Sequence, residues 1–349
     1  MIKYTEQERV SIDYAKALGI ILVVIGHFNN LASDIFRPYI YHMPLFFFIG
    51  GMVFRPKNLY DIVKNTVIKY FTYLVFCYVI TGFIALLLNH YFGTLARNPF
   101  GSSILETIQI IKDNKFNNNP LFIFGWFLLC YPLVILISNI YHKIFIKNVS
   151  VIVFIAIPSL ASFFAMNYLS KEALSTQSFS LNILCQIIVG SFFYLLGSII
   201  KEKIFKLNNI SILLFLLLTF FTLSNMRIIS EMGMSFSRYR YGFIVHTIGA
   251  MLGIAIVFSI SSILSSSTYS KTLGLIGGKS KDIMTFHMLS FTMIDIFFII
   301  FNVYKQPEAP AITSHFQDNY TFPIYLFGSI IISILIGYVI KKITFSYIT

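Results

Sequence analysis

Ten apolar runs constrain this chain more than any single motif in it. A bilayer core asks for about 20 mostly apolar residues per helical span. It offers no water to satisfy a bare backbone, so a crossing segment must close its own hydrogen bonds. The runs lie at 12–30, 39–55, 66–89, 120–140, 149–168, 180–200, 208–224, 242–265, 281–302 and 322–346. The second is short, and the first carries Asp13 and Lys16 in its opening turns. Composition points the same way: 57% of residues are hydrophobic and 11% charged, against about 25% charged in a soluble domain. The predicted fold is all-α, a polytopic integral membrane protein of about ten transmembrane helices. It is read as a single membrane-embedded domain over 1–349 with no separate soluble domain.

The first ten residues, "MIKYTEQERV", are polar and charged. No small-residue cleavage site follows the first apolar run, so a cleavable signal peptide is not expected. Cys77, Cys130 and Cys185 all fall inside apolar stretches and read as buried small hydrophobes, not as a disulfide or metal framework. The net charge of +12 does not call for nucleic acid, because cytoplasmic loops of membrane proteins collect Lys and Arg. With the N-terminus inside, 17 of the 26 Lys and Arg residues fall on cytoplasmic segments and 9 outside. Both termini are therefore expected in the cytoplasm.

Ionisable residues interrupt the apolar runs at a few places. Seven residues from Ile20 to Gly26 carry no polar side chain, and then comes His27. Such groups in hydrocarbon cost a few kcal/mol or more and usually face a cavity, a partner or a substrate path. Lys16 precedes His27 by eleven residues, about three turns, which sets both on one helix face roughly 16 Å apart. Asp13 is three residues before Lys16, within pairing distance. The bland alternatives are a lysine snorkelling to headgroups and a helix-end histidine bonded to a loop carbonyl.

His42 opens the second run in "YHMPLFFFIGG", where Pro44 suits a helix start and Gly50 and Gly51 permit close helix approach. Trp126, the lone tryptophan, reads by default as an interfacial anchor near the outer end of the fourth run. His246 falls near the outer end of the eighth run and His287 in the inner half of the ninth. Asp295 lies eight residues further on and is expected to be paired or protonated. Two long polar outer loops are predicted, at 90–119 and 225–241. The second gathers Arg227, Glu231, Arg238, Arg240 and Tyr241. It is either a solvated loop or a seat for a polar or anionic ligand, since Arg forks suit phosphate and carboxylate. No Walker A loop, HExxH, CxxC or GxSxG is present, so nothing supports ATP hydrolysis, zinc proteolysis or a hydrolase elbow, and no metal is expected.

The run "DYAKALGIILVVIGH" followed by "YHMPLFFFIGGMVF" resembles the opening of the acyltransferase 3 family of membrane-bound O-acyltransferases, in particular its fucose 4-O-acetylase-like members. The likeness continues at "GWFLLCY", "RYRYGFIVHTIGAMLGIAIV" and "LGLIGGKSKDIMTFHML". It implies a ten-helix enzyme of the bacterial inner membrane. Such an enzyme moves an acyl group, usually acetyl, from cytoplasmic acyl-CoA to a sugar hydroxyl of a cell-surface glycan or its lipid-linked precursor. Two positions depart from the family pattern: Gly50 stands where Ser is usual and Ala17 where Gly is usual. The extra periplasmic hydrolase-like domain of some members is not expected, and direct transfer within the membrane domain is the expected scheme.

On this reading Lys16, with Arg9 or Arg55, meets the phosphates of acetyl-CoA, and Asp13 holds Lys16. His27 is the general base on the acceptor hydroxyl, or is itself acylated first. His42, Trp126 and His246 are candidate donors to the thioester oxyanion by depth alone. Arg238, Arg240 and Tyr241 help seat the acceptor, and His287 is a further substrate-side candidate. The rivals are a transporter or flippase for a lipid-linked sugar and a glycan polymerase. The chain shows no repeat symmetry to favour the first, and its longest outer loop is short for the second.

The charge bias makes one expectation directly measurable. Reporter fusions at Leu207 and at Thr349 should both show cytoplasmic activity. Periplasmic activity at either would overturn the ten-span topology.

Overall fold

The computed structural model describes residues 4–28, 30–55, 58–93, 97–146, 148–267, 270–304, 316 and 320–345. Of the basic residues counted above, Lys3, Lys57, Lys147 and Lys305 lie outside the described residues, as does Thr349. Apolar runs become helices because only the helix closes its backbone hydrogen bonds within one segment. The helices are α1 Glu6–Gly26, α2 Leu31–Phe36, α3 His42–Met52, α4 Leu59–Asn65, α5 Thr72–Phe92, α6 Ile104–Asn114, α7 Gly125–Phe145 and α8 Val151–Phe164. There follow α9 Ser170–Ser175, α10 Phe179–Ile200, α11 Ile210–Asn225, α12 Gly242–Ser267, α13 Lys271–Gly278, α14 Ser280–Ile300 and α15 Phe322–Phe345. A π-helical turn at Thr66–Phe71 joins α4 to α5, and another at Ala165–Leu169 joins α8 to α9.

Among the described residues, seven helical runs are long and apolar enough to cross a membrane. The chain is therefore an all-α polytopic membrane protein. Three expected spans fall outside that set. α3 and α11 are apolar but shorter, and α1 begins six residues earlier than expected, with Glu6, Glu8 and Arg9 in its first turns. Side-chain caps explain several helix starts. Ser150, Ser178 and Asn209 each accept a hydrogen bond from a backbone N–H of the first turn, two or three residues on, one of the donors a helix start leaves unmet. The polar loop expected at 90–119 contains α6, capped in the same way by Ser103. Its apolar Ile104, Leu105 and Ile108 are exposed and broken by polar neighbours, which hid it from a search for long runs.

The chain divides into two compact units. The first comprises Met1–Leu22, Arg37–Thr72 and Phe127–Gly278. Its centre is the packing of α3 on α10, and two glycines set the distance. A Cβ on Gly51 would overlap the Tyr194 carbonyl, and one on Gly197 would overlap the Phe48 carbonyl. Phe47, Phe48 and Phe193 fill this contact and are fully buried. The neighbouring Gly50 faces the Tyr131 hydroxyl, which occupies the room a side chain at that position would need. A tyrosine hydroxyl thus stands where the resemblance leads one to expect a serine. α1 packs on α3 through Gly19, against Leu45 and Phe46.

The second unit comprises Val23–Phe36, Tyr73–Trp126 and Lys279–Thr349. α14 packs along α15 and carries a series of polar residues on its buried faces: Asp282, Thr285, His287, Ser290 and Asp295.

Gly51→Ala and Gly197→Ala should each lower stability by about 1–3 kcal/mol, the usual cost of overpacking a tight contact. The measurement is the unfolding midpoint of the purified protein in detergent. Unchanged midpoints would show that α3 and α10 do not meet at backbone distance.

Candidate active site

The second unit brings His27 and His287 together across 260 residues of sequence. Their Nε2 atoms are 3.1 Å apart, and the ring centroids 4.9 Å. α1 ends at Gly26, and the His27 and Phe28 amides bond back to Val24 and Ile25 in a tight final turn. The ring therefore stands just beyond the helix end. His27 follows the end of its helix and His287 lies in the first half of its own, as expected; taken one by one, those positions did not bring the two rings together, and the contact sets them at one level.

The protonation of His287 follows from its neighbours. Its Nδ1 faces the Met284 carbonyl at 2.9 Å and the Ile283 carbonyl at 3.1 Å. A ring nitrogen set against carbonyl oxygens must carry the proton, so Nε2 of the neutral ring is the acceptor. His27 Nε2 then donates to it. His287 is fully buried, whereas His27 is half-buried. The pair thus has a supporting member and a more accessible one.

Aromatic rings enclose the pair. Phe124 and Phe291 lie with centroids 5.7 Å from the His287 ring, and Phe291 also meets the edge of His27 at 6.0 Å. Phe28 packs on Phe291, Phe322 and Tyr325. Two turns along α14 from His287, Asp295 accepts a short hydrogen bond from the Tyr325 hydroxyl. The carboxylate is paired, one of the two outcomes expected for it.

The other sequence-predicted residues fall into the first unit, apart from Trp126. Lys16 Nζ donates to Asp13 Oδ1 at 2.9 Å, both partly exposed. Gly277 at the end of α13 sits against the Asp13 backbone, where a Cβ would overlap the carbonyl. Arg55 is exposed just past the end of α3. His42 is buried, with Nδ1 2.6 Å from the Pro38 carbonyl, a bond that ties the start of α3 to the turn before it. Trp126 is buried at 8% exposure, which corrects its reading as a headgroup anchor: it sits one residue into α7 and faces protein.

His246 is fully buried, and both ring nitrogens are committed to backbone. Nδ1 donates to the Ser230 carbonyl at 3.3 Å, and Nε2 accepts from the Tyr241 amide at 3.3 Å. This ring ties down the 226–241 loop and is not placed to donate to an oxyanion. In that loop Gly233 and Arg238 pair through two backbone hydrogen bonds. The Arg238 guanidinium lies over the Phe236 ring and that of Arg240 over the Tyr241 ring. All three of Arg238, Arg240 and Tyr241 are exposed.

Sequence reasoning missed Tyr325, which pairs Asp295, and Phe124, which meets the His287 ring. No local pattern marks them, because one arrives from α15 and the other from the turn before α7. The family model described as an acyltransferase domain matches residues 9–341. No curated protein and no solved structure matches the chain.

If His246 holds the 226–241 loop, His246→Ala should free it. Trypsin added to the purified protein in detergent should then cut at Arg238 and Arg240 several times faster than in the wild type. Equal cleavage rates would mean that the loop is held by other contacts.

Proposed function

Because the chain belongs to the acyltransferase 3 family and is a membrane acyltransferase, we propose that it transfers an acetyl group from cytoplasmic acetyl-CoA to a sugar hydroxyl. The acceptor is a bacterial surface polysaccharide or its lipid-linked precursor, and the setting is the inner membrane. Family membership removes the transporter and polymerase rivals. The observation that carries the mechanism is the His27–His287 contact.

The reaction needs a base for the acceptor hydroxyl and a proton for the leaving thiolate. His27, the accessible member, takes the hydroxyl proton on the ring edge away from His287 as the sugar oxygen attacks the thioester carbonyl. The imidazolium so formed keeps its Nε2–H on the His287 acceptor, which spreads the new charge. When the tetrahedral intermediate collapses, the C–S bond breaks, and His27 returns the proton to the sulfur. The products are the acetyl ester and free CoA. The bonds from His287 Nδ1 to the Ile283 and Met284 carbonyls hold the supporting ring in one tautomer throughout. Within the first unit, Lys16, aligned by Asp13, and Arg55 are cations of the kind that suits a phosphate group.

The acceptor side is read from the 226–241 loop. Arg238, Arg240 and Tyr241 offer guanidinium forks and a ring face to a sugar. Nearby, Ser230 Oγ, Tyr239 Oη and Thr247 Oγ1 are buried without a protein hydrogen-bond partner. Buried polar atoms of this kind ordinarily meet water or ligand, and a polyol supplies both donors and acceptors.

His27→Ala and His27→Gln should each lower glycan acetylation in cells by about 10²–10⁴-fold per protein in the membrane, the usual worth of a positioned acid–base group. Gln keeps hydrogen-bonding capacity but takes no proton at neutral pH. His287→Ala should cost less, about 10–100-fold, the value of one hydrogen bond to a charged group. Near-normal acetylation by a well-expressed His27→Gln protein would mean that the ring is structural.

A further inference from the structure

The segment that carries α6 returns to α5 at both of its ends. Before α6, Phe100 packs on Phe83 with ring centroids 5.2 Å apart, and it fills the space a side chain at Gly82 would need. The Tyr78 hydroxyl donates to the Pro99 carbonyl. After α6, Phe116 meets the same Tyr78 ring at 6.2 Å. Asn119 Nδ2 donates to the Tyr78 carbonyl and to Thr81 Oγ1, both at 3.1 Å, and Asn118 Nδ2 to the Asn98 carbonyl at 3.2 Å.

α5 belongs to one of the runs apolar enough to cross a membrane, and no charged residue interrupts it from Tyr73 to Leu88. Val75, Val79, Phe83 and Leu87 form an exposed stripe along it, spaced four residues apart on one helix face. In a crossing helix such a stripe faces lipid. Gly82 and Tyr78 lie six and ten residues before Leu88, about 9 and 15 Å inside the end of the apolar stretch. The half-thickness of a hydrocarbon core is about 15 Å. Both ends of the α6 segment are therefore tied to α5 at the level of hydrocarbon.

α6 itself divides into three faces, each about a third of its circumference. Thr107, Ile110 and Ile111 share the face that protein partly covers. Ile104, Leu105 and Ile108 share the second with Lys112, all of them exposed, the first two at 81% and 79%. Glu106, Gln109 and Asp113 hold the third and are exposed as well, and Gln109 donates to Asp113 along it at 2.7 Å. A helix surrounded by water has no reason to sort its exposed residues by polarity. A helix lying along a boundary between lipid and water does.

We infer that α6 is an interfacial helix, with Ile104, Leu105 and Ile108 seated in the acyl chains of the bilayer and Glu106, Gln109 and Asp113 in water. The Lys112 stem runs over the apolar face and carries its ammonium to the lipid phosphates. The occupant of the apolar face is lipid because the exposed stripe of α5 already faces lipid, and Phe100 ties the α6 segment to that stripe at Phe83. Beyond α6, Phe116, Phe122 and Phe124 continue ring on ring to His287. The chain that reaches the histidine pair is thus anchored on the bilayer surface, whichever reaction the pair performs.

The test is nitroxide labelling of single cysteines in the full-length protein in phosphatidylcholine nanodiscs. Ile104→Cys, Leu105→Cys and Ile108→Cys report on the apolar face, Gln109→Cys and Asp113→Cys on the polar one. These five positions are exposed, and the Ser103 cap of α6 is left in place. The native Cys77, Cys130 and Cys185 are buried, and the wild type serves as the labelling blank. Oxygen concentrates in hydrocarbon, whereas a polar nickel chelate stays in water. The ratio of oxygen to nickel collisions should be severalfold higher at the first three positions than at the last two. Equal ratios at all five would overturn the inference and place α6 in water. Few collisions with either reagent at Ile104, Leu105 and Ile108 would overturn it too, as the mark of a second copy or another protein on that face.

Discussion

A polar side chain in hydrocarbon has no water to turn to, so it must find its partner in protein. On α14 this rule organises the whole second unit. Asp282 takes Lys341, Thr285 takes the Tyr73 hydroxyl, and His287 takes His27. Ser290 takes Ser333 at 2.9 Å, and Asp295 takes Tyr325. Partners come from the turn after α1 and from α5 and α15, so each bond is also a constraint on where a helix can lie. Removing one leaves a buried group unmatched, which costs more than the bond itself was worth. The histidine pair is one rung of this ladder, and its position is fixed by the rungs on either side.

Much of the fold was legible in the sequence because one physical requirement wrote it. Each of the ten apolar runs coincides with a helix, and the starts of α10, α12, α14 and α15 fall within a residue of those expected. α6 was not legible, since its apolar residues serve one face of a short helix and never form a run. Among the candidate residues, the spacing of Asp13 and Lys16 gave their pairing directly, because helical neighbours are set by local geometry. The meeting of His27 with His287 could not be read that way. It depends on where the end of α1 falls along α14, which no local pattern in either helix gives.

Tight helix packing in the first unit shows a related limit. Gly50 and Gly51 stood out as places where helices could approach, and Gly51 does receive a neighbouring carbonyl. Its counterpart Gly197 carried no signal of its own, since a glycine in an apolar helix has many uses. Gly50 meets a tyrosine hydroxyl instead of a backbone. Adjacent glycines on one helix therefore do two different jobs, decided by what α7 and α10 present to them.

The choice of a second imidazole to support His27 has a physical rationale in this setting. A carboxylate would stabilise the imidazolium more strongly, but it would carry a full charge through every stage of the cycle. Taking such an ion out of water costs several kcal/mol even after relaxation. A neutral histidine, held in one tautomer by the Ile283 and Met284 carbonyls, costs only the burial of a satisfied polar ring. On the proposed mechanism the pair would carry charge only while a proton is in transit. Asp295 stays two turns away on the same helix with its own donor, Tyr325. The one carboxylate on that stretch of α14 is thus committed elsewhere, and the proposal leaves the base to the histidine pair.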